Sequence, residues 1–268
     1  MTGYPTSIGR ADASTIQVLG HDLAGELMGQ VGFAELAFWL VAMRRPNRGE
    51  LRVFETVLVA LADHGFTPTV LAARLTLTGA PESVQGALAS GLLGGGSRFL
   101  GTTEDTGRFL QAALARHTAT GAALPTTDGG WDELARDAVI AQREAGSFVP
   151  GLGHTLHKDG DPRTPVLFRI AEEEGLLGPH LALFEAVGRV HPEVLGRTLP
   201  LNGAGACGAV LCDLGFPVDI LRGFALLART AGLLGHIAEE MRQPIGLAVY
   251  DHVERATDYR PPQDPSAG

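Results

Sequence analysis

The stretch "VPGLGHTLHKDGDPRTP", residues 149–165, stands out in a chain that is otherwise rich in alanine and leucine. Gly151 and Gly153 permit the backbone to approach a ligand closely, and consecutive amides in such a loop can hold an anion. His154 follows directly as a candidate acid or hydrogen-bond donor, and Arg163 offers a planar fork for a carboxylate. The alternative is a loop whose histidine and arginine only satisfy local carbonyl groups. The density of polar groups favours a functional loop.

Hydrophobic residues spaced three and four apart surround this loop on both sides and predict helices almost everywhere. Strand-like alternation is nearly absent, so the pattern indicates an all-α protein of about ten or more helices. The predicted helices cover residues 23–45, 49–65, 68–79, 81–96, 103–119, 129–146, 165–175, 180–191, 207–215 and 218–243.

Composition and charge exclude several classes of protein. Apolar residues make up 45% and charged residues 19% of the 268 residues, which is typical of a globular chain with a substantial core. The net charge of −9 argues against nucleic acid as a partner, because phosphate binding needs clustered Lys and Arg. Cys207 and Cys212, without a His/Cys cluster, indicate neither a disulfide framework nor a metal site. Because no apolar run is long enough for a membrane span and no signal pattern is present, we expect a cytoplasmic protein without membrane contact.

Three further motifs each have a structural and a functional interpretation. His64, which follows Asp63 at a helix end, is more typical of capping than of catalysis. Arg229 lies in a strongly apolar helix and needs either an internal glutamate or a substrate carboxylate, and the sequence favours neither. The run "GAGACG" (203–208) matches a dinucleotide-binding pattern, but no clear strand precedes it and no acidic residue follows about twenty positions on. We interpret it as a close helix contact.

Three separated segments agree with one family. In chain order they are "ADHGFTPTVLAARL" (62–75), "GLGHTLHKDGDPR" (151–163) and "FALLARTAGLLGH" (224–236). Their combination resembles the citrate synthase superfamily, from roughly Asp12 to Pro262. The glycine-rich stretch "SGLLGGGSRFLGTTED" (90–105) is more similar to the citryl-CoA lyase module of ATP-citrate lyase than to true citrate synthases.

The resemblance implies an all-α homodimer whose chains each form a large and a small helical domain, with the active site in the cleft. We expect residues 1–145 and 206–268 to form the large domain and residues 146–205 to form the small domain with the glycine loop. The implied reaction makes or breaks a C–C bond between an acyl-CoA, such as acetyl-CoA, and an α-keto acid, such as oxaloacetate. Coenzyme A would enter as part of the acyl-CoA substrate, beside a di- or tricarboxylate and without a metal.

The resemblance also implies roles for the individual residues that match the family's motifs. Two histidines match substrate-contacting positions, and two arginines match carboxylate clamps. A third clamp in the family reaches across the dimer from near the C-terminus, and here Arg260 or Arg255 could fill it, because the local sequence does not choose between them. The residues are His154 and His64 for catalysis; Arg163, Arg229 and Arg260 (or Arg255) for carboxylates; Pro150, Gly151, Leu152, Gly153 and Lys158 for coenzyme A; and Asn202, which the chain retains beside the substituted position 204.

Two positions depart from the family. Phe99 replaces the histidine that holds the thioester carbonyl, and Ala204 replaces the aspartate that exchanges a proton with the acyl group. A positioned acid or base contributes about two to four powers of ten in rate, so citrate synthesis from acetyl-CoA should suffer heavily. Cleavage of citryl-CoA starts instead with removal of a hydroxyl proton by His154 or His64, and water or Asp213 would then protonate the enolate. Cleavage therefore survives the substitution better than synthesis.

Three functions follow as hypotheses. The first is a citryl-CoA lyase-like enzyme, and the second is a protein that binds CoA esters or dicarboxylates but has lost turnover. The third is a helical scaffold without a ligand. The retained arginines argue against the scaffold, because a buried arginine without a partner is costly.

Overall fold

The structure is a computed structural model, and it describes residues 3–262. Within that range it contains eleven α-helices and three short strands, which confirms the all-α prediction. The helices are α1 (Phe33–Ala42), α2 (Arg48–Ala62), α3 (Pro68–Gly79), α4 (Val84–Leu93), α5 (Thr102–Ala119), α6 (Asp128–Glu144), α7 (Arg163–Glu173), α8 (Pro179–Leu195), α9 (Gly203–Asp213), α10 (Leu221–Arg242) and α11 (Gly246–Arg255).

A small antiparallel sheet precedes the helices, and the hydrophobic pattern does not predict it. Its strands are β1 (Gly9–Ala11), β2 (Ile16–Val18) and β3 (His21–Asp22), paired in that order. The side chain of Asp12 closes the first turn by accepting a hydrogen bond from the Thr15 N–H at 2.9 Å. Strands of two or three residues contain too little alternation to be recognised in a sequence.

The first predicted helix, residues 23–45, is interrupted. Leu23–Leu27 forms a single π-helical turn, and Gly29 then adopts a left-handed conformation with φ of +77°. The regular helix α1 begins only after Gly32. Glycine is a poor helix former because it loses the most backbone freedom, so the glycines in this segment account for the break.

Two other helices differ from the predicted ranges. α9 begins at Gly203, inside the "GAGACG" run, because the Asn202 side chain caps it by accepting the Gly205 N–H at 2.8 Å. α11 has no counterpart among the predicted helices. Leu247, Tyr250 and Val253 repeat every three residues in α11, but all three side chains are exposed.

Contacts within the chain divide it into two compact units. Of the described residues, unit 1 comprises those up to Ala62 together with Ser97–Ala228, and unit 2 comprises Asp63–Gly96 and those from Arg229 onward. Residues 146–205, the expected small domain, thus lie inside unit 1 and do not form a unit of their own. The reason is packing, because α7 and α8 contact α9, and α6 contacts α8.

The core of unit 1 is built around α9. Every residue of α9 from Gly205 to Cys212 is buried, and α2, α5, α7 and α8 contact this helix. Gly208 lies against the backbone of Thr103 on α5, where any larger side chain would collide with the Thr103 carbonyl oxygen. This confirms the close helix contact that the glycine- and alanine-rich run predicts.

α10 is a long apolar helix, and it corrects one expectation. With the preceding turn, Val218–Arg242 is long and apolar enough to cross a membrane by length and composition alone, so the expectation that no run reaches that length is wrong. Leu221 belongs to the core of unit 1, and Leu233 belongs to the core of unit 2. Only 39% of that apolar window is buried within the described residues.

Unit 2 contains a buried ion pair beside its apolar core. Arg74 on α3 is 2% exposed, and its guanidinium bonds the carboxylates of Glu240 and Glu239 at 2.6 Å each. Glu240 also accepts the Gly246 N–H at 2.7 Å, which fixes the start of α11. Burial alone would raise the pKa of the Glu240 carboxyl, but the bonds from Arg74 and from the backbone lower it below its usual value. Arg74 therefore joins α3 to α10 through an ion pair in which the Glu240 carboxylate stays ionised.

Replacing Arg74 with leucine should destabilise unit 2, because Glu240 would keep a buried charge without its partner. Breaking a buried ion pair costs about 3–5 kcal/mol. Urea unfolding should show a loss of that order for Arg74→Leu and a much smaller loss for the control Arg52→Leu, whose pair with Glu173 is solvent-exposed. Equal losses in the two variants would contradict the role assigned to the buried pair.

Candidate functional site

The glycine loop is fastened to the segment that leads into α9. The Gly153 N–H donates to the Pro200 carbonyl at 2.7 Å, and the Asn202 N–H donates to the Gly151 carbonyl at 2.9 Å. The side-chain amide of Asn202 also donates to the Gly153 carbonyl at 2.8 Å. Asn202 therefore binds the loop with both its backbone and its side chain while it caps α9.

Glycine is required where the loop meets the helices. Gly151 and Gly153 have φ values of +85° and +83°, a conformation that other residues rarely adopt. A β-carbon on Gly151 would lie 2.5 Å from the ring of Phe184, and one on Gly205 would lie 2.7 Å from the Gly151 Cα. The loop thus lies directly against the first turn of α9.

A buried histidine holds the segment to which the loop is fastened. His191 on α8 is 2% exposed, its Nδ1–H donates to the Val187 carbonyl at 3.0 Å, and its Nε2 accepts the Leu199 N–H at 2.9 Å. One donated and one accepted bond define a neutral imidazole. Since Leu199 precedes Pro200, His191 supports the carbonyl that receives the Gly153 N–H.

The backbone after His154 fixes the orientation of its imidazole. Nδ1 accepts hydrogen bonds from the N–H groups of Leu156 at 3.1 Å and His157 at 3.0 Å. A ring nitrogen that accepts hydrogen bonds carries no proton, so the proton of the neutral imidazole is on Nε2. The side chain is 13% exposed, and Nε2 lies 4.0 Å from Oδ2 of Asp161. His154 is thereby arranged as a hydrogen-bond donor.

Asp161 is the buried centre of this region. Its fully buried carboxylate accepts bonds from Nε of Arg163 at 3.0 Å and from Nη2 of Arg163 at 2.7 Å. It also accepts the Gly203 N–H at 2.7 Å, in the first turn of α9, where the helix dipole favours a negative charge. Asp161 therefore ties the arginine to the N-terminus of α9.

These donors keep the carboxyl of Asp161 ionised. Burial alone would raise its pKa, but the hydrogen bonds from Arg163 and Gly203 lower it far below the usual value. Burial alone would lower the pKa of Arg163, and the bonds to Asp161 raise it above the usual value. The two side chains form an ion pair without net charge.

The sequence predicts Arg163 as a clamp for a substrate carboxylate, and the structure shows that it already holds an internal one. Besides its bonds to Asp161, its Nη1 donates to the Ala60 carbonyl at 3.1 Å. A guanidinium has five N–H groups, so about two remain for a ligand. The side chain is 20% exposed. Arg163 therefore offers a ligand oriented N–H groups but no excess charge.

Asp213 does not fit the role of substitute proton donor for Ala204. Ala204 lies in the first turn of α9, and Asp213 is the last residue of that helix. The Asp213 carboxylate accepts the N–H groups of His180 at 3.0 Å and Leu181 at 2.9 Å, and it lies 2.8 Å from Nδ1 of His180. Its side chain is 4% exposed, so Asp213 is used to cap α8.

The two cysteines are buried on the same helix, and only Cys207 lies near Arg163 and Asp161. Cys207 and Cys212 are free thiols on α9. Burial raises the pKa of each thiol to about 12, so both stay protonated at neutral pH. A thiol rather than a thiolate is a poor nucleophile, and these residues act as small core side chains.

A cleft of about 770 Å³ runs along the glycine loop within unit 1, a size typical of small-molecule sites. The predicted coenzyme residues Pro150, Gly151, Leu152 and Gly153 line it, together with Asn202. On the side of α5, the lining includes Thr102, Asp105, Phe109, Ala112 and Arg116. Lys158 is absent from the described lining of this cleft; its Nζ donates to the His154 carbonyl at 2.8 Å.

The other predicted site residues belong to unit 2. His64 lies in the turn between α2 and α3, and Arg229 is buried in α10 at 4% exposure. Arg260 follows α11, and its side chain is 85% exposed and pairs with Asp258 at 2.7 Å. Arg255, the alternative, is 81% exposed at the end of α11. Their roles toward a substrate stay predictions.

Asp161 and His191 are absent from the residues predicted from sequence. For Asp161 a signal exists, because an acid two residues before an arginine in a Gly/Pro-framed loop is placed to orient that arginine. For His191 no signal exists, because a single histidine within an apolar helix does not reveal its partners.

Comparisons with known proteins agree with this architecture. The citrate synthase family, through its C-terminal domain, matches residues 13–248. The chain belongs to the citrate synthase family. Citryl-CoA lyase from Hydrogenobacter thermophilus superimposes with a TM-score of 0.82 at 29% identity, covering 97% of this chain and 96% of that chain. This confirms the predicted family and its proximity to the citryl-CoA lyase module.

Two longer proteins are also similar over most of this chain. A probable ATP-citrate synthase from Caenorhabditis elegans is 26% identical over 264 residues, which cover 91% of this chain and 22% of that protein. An ATP citrate lyase from Methanothrix soehngenii, solved with citrate and coenzyme A, superimposes with a TM-score of 0.77 at 23% identity, covering 100% of this chain and 43% of that one. This chain therefore spans less than half the length of either protein.

Asp161→Asn should destabilise unit 1 in a pH-dependent way. Removing one member of a buried ion pair costs about 3–5 kcal/mol. Folding lowers the pKa of this carboxyl from its usual value of 3.8. The stabilisation that the ionised carboxylate gives is therefore complete above about pH 3.8 and is lost as the pH falls from there toward the lowered pKa. Chemical denaturation should therefore show a large difference between wild type and variant at about pH 7 and a smaller one at about pH 3. A difference that does not change with pH would contradict the ionised pair.

Proposed function

We propose that this protein is a citryl-CoA lyase-like or citrate synthase-like enzyme, which breaks or makes the C–C bond between an acyl-CoA and an α-keto acid. The observation that carries the proposal is the donor arrangement of His154, directly after the loop residues that line the cleft. An oriented N–H beside an oxygen that gains negative charge is worth about two to three powers of ten in rate. Family membership and the similarity to a citryl-CoA lyase support the same reaction class.

In the direction of cleavage, the hydroxyl oxygen of citryl-CoA loses its proton to a base and becomes the keto oxygen of oxaloacetate. The C–C bond breaks, and its electron pair becomes the enolate of acetyl-CoA, which then takes a proton at carbon from water. His154 holds its proton on Nε2 and donates a hydrogen bond to the hydroxyl oxygen, so of the two histidines His64 is the proposed base. The remaining N–H groups of Arg163 are proposed to hold a carboxylate of the keto acid.

Coenzyme A is proposed to lie in the cleft along Pro150–Gly153. The size of the cleft and its close backbone approach support this position, and so does the coenzyme A found in an ATP citrate lyase of the same fold. Arg229 and Arg260 stay proposed carboxylate contacts. Arg260 would act across a homodimer.

The substitution at position 204 removes the carboxylate that exchanges a proton at the acyl carbon, so in cleavage the enolate is proposed to take its proton from water. Synthesis must begin with removal of a weakly acidic proton from the acyl carbon, whereas cleavage begins at a more acidic hydroxyl group. Asp161 is no substitute base, because its lowered pKa makes it a weak proton acceptor.

A second function is favoured by the same alanine. Ala204 and Phe99 together leave two family positions without their catalytic groups, so a protein that binds CoA esters without turning them over is the alternative. The loop, Asn202 and Asp161 would serve binding equally well.

Incubation of the purified protein with citryl-CoA tests the enzyme directly. A coupled dehydrogenase should detect released oxaloacetate, and His154→Ala, which removes the N–H donor, should lower kcat by about 100- to 1,000-fold with little change in KM. His252→Ala, at an exposed histidine on α11, is the matched control and should behave as wild type.

The alternatives give different results in the same experiment. Binding of citryl-CoA by calorimetry without any release of oxaloacetate would favour the binding protein. Absence of both binding and release would contradict both functions.

A further inference from the structure

The cleft along the glycine loop contains one carboxyl group that the reaction above does not use. Asp105 on α5 is the sole acid among the described residues that line this cleft. Thr102, three residues earlier, lies on the same face of α5 and also lines the cleft. Gly151–Gly153 and Asn202 border the same space. Asp105 therefore shares the cleft with the glycine loop and with the residue that caps α9.

The turn of α5 that carries Asp105 packs against the start of α9. Gly208 on α9 lies against the backbone of Thr103, two residues before Asp105. Ala204 precedes Gly208 by one helical turn, so the two residues lie on the same face of α9. The face of α9 that lost its carboxylate is therefore the face that meets this part of α5.

The residue after Asp105 contacts the glycine loop. The side chain of Thr106 is fully buried, and its hydroxyl oxygen lies 3.1 Å from the position that a β-carbon on Gly151 would occupy. Asp105 itself is half-buried. Asp105 thus belongs to a turn of α5 that touches both the loop and α9, while its own side chain lines the cleft.

The carboxyl group of Asp105 is unpaired, whereas its charged neighbours are engaged. No described residue donates a hydrogen bond to this carboxyl or forms an ion pair with it. Arg108 and Arg222 pair instead with Glu104, at 2.9 Å and 3.0 Å. Burial raises the pKa of the Asp105 carboxyl above its usual value and the charge of Glu104 adds to this, against the opposing charges of Arg222 and Arg108. Asp105 therefore keeps its proton to a higher pH than an ordinary aspartate does.

Two other acids that contact α9 or belong to it are already engaged. Asp161 accepts hydrogen bonds from Arg163 and from the Gly203 N–H, and its lowered pKa leaves it without a proton at neutral pH. Asp213 lies at the far end of α9 and caps α8. Neither carboxyl lines the cleft among the residues that the structure describes.

We propose that Asp105 is the acid behind the protonation of the enolate, the role that position 204 no longer fills. The inference rests on the proposed function, since it concerns the enolate that forms when the C–C bond of citryl-CoA breaks. Asp105 gives its proton to the water that protonates the acyl carbon, and a proton can pass through one such water. The electron pair of the broken C–C bond forms the new C–H bond. Asp105 is left as a carboxylate and regains a proton from solvent.

Proton exchange at the methyl group of acetyl-CoA, followed by NMR of the full chain in D2O, tests this role without cleavage. Wild type should exchange these protons for deuterium, and Asp105→Asn should do so about 100-fold more slowly, because a positioned acid or base contributes about two to four powers of ten in rate. Asp105→Glu keeps the carboxyl group and should recover most of the exchange. Asp128→Asn, at an exposed aspartate at the start of α6, is the matched control and should exchange as wild type does.

Cleavage of citryl-CoA gives the second readout. Asp105→Asn should lower kcat by about 100-fold with little change in KM. Its urea unfolding should match that of wild type, because the amide has the shape of the carboxyl group and Asp105 has no ion pair to lose. A large loss of stability in Asp105→Asn, with kcat and KM affected together, would overturn the inference in favour of a structural role.

The outcomes separate this inference from the proposed function. Equal exchange and equal kcat in wild type and Asp105→Asn would overturn the role of Asp105 and leave the proposed function intact. Exchange by wild type that Asp105→Asn loses, without any release of oxaloacetate from citryl-CoA, would support Asp105 and contradict the lyase reaction. If wild type neither exchanges protons nor cleaves citryl-CoA, both fail.

Discussion

The fully buried carboxylate of Asp161 is the constraint on which the rest of the site depends. A charge can stay in such a position only when it is paired and hydrogen-bonded, and Asp161 receives donors from a guanidinium and from the first turn of a helix. These bonds fix Arg163 and the start of α9 relative to each other. They also set a negative charge 4.0 Å from Nε2 of His154, which favours a proton on that nitrogen.

The glycine loop adds a second layer of constraint. Its backbone is bonded to Pro200 and Asn202, and the segment before them is held by the buried His191. The result is a set of hydrogen-bond donors, the His154 Nε2–H and the remaining N–H groups of Arg163, with no net charge from the Arg163–Asp161 pair itself. Donors of this kind stabilise an oxygen that becomes negative, as the hydroxyl oxygen does when the neighbouring C–C bond breaks. Ala204, in the first turn of α9, has no carboxylate that could remove a proton from the acyl carbon.

Periodicity predicts most of the helices because their buried faces repeat every three or four residues, and the "GAGACG" run correctly indicates a close contact. The same pattern fails for the short strands β1–β3, which have no buried residues. Helix α11 carries apolar residues every three positions but escapes prediction, and these side chains are exposed. The domain boundaries predicted from family resemblance differ from the compact units, because α7 and α8 pack on α9. Asp161 and His191 escape prediction for another reason: their roles depend on burial and on partners that are distant in sequence. The hydrogen bonds of Arg163 to Asp161 and to the distant Ala60 carbonyl likewise cannot be read from the sequence.

The tautomer of His154 is the most direct test of this view of the site. A long-range 1H–15N spectrum of the labelled protein, assigned with His154→Gln, reports which ring nitrogen of His154 carries the proton. We expect a protonated Nε2 and an unprotonated Nδ1 at neutral pH, both before and after citryl-CoA is added. A proton on Nδ1 with a bare Nε2 would contradict the donor role, because Nε2 could not then donate the hydrogen bond that the proposed reaction needs.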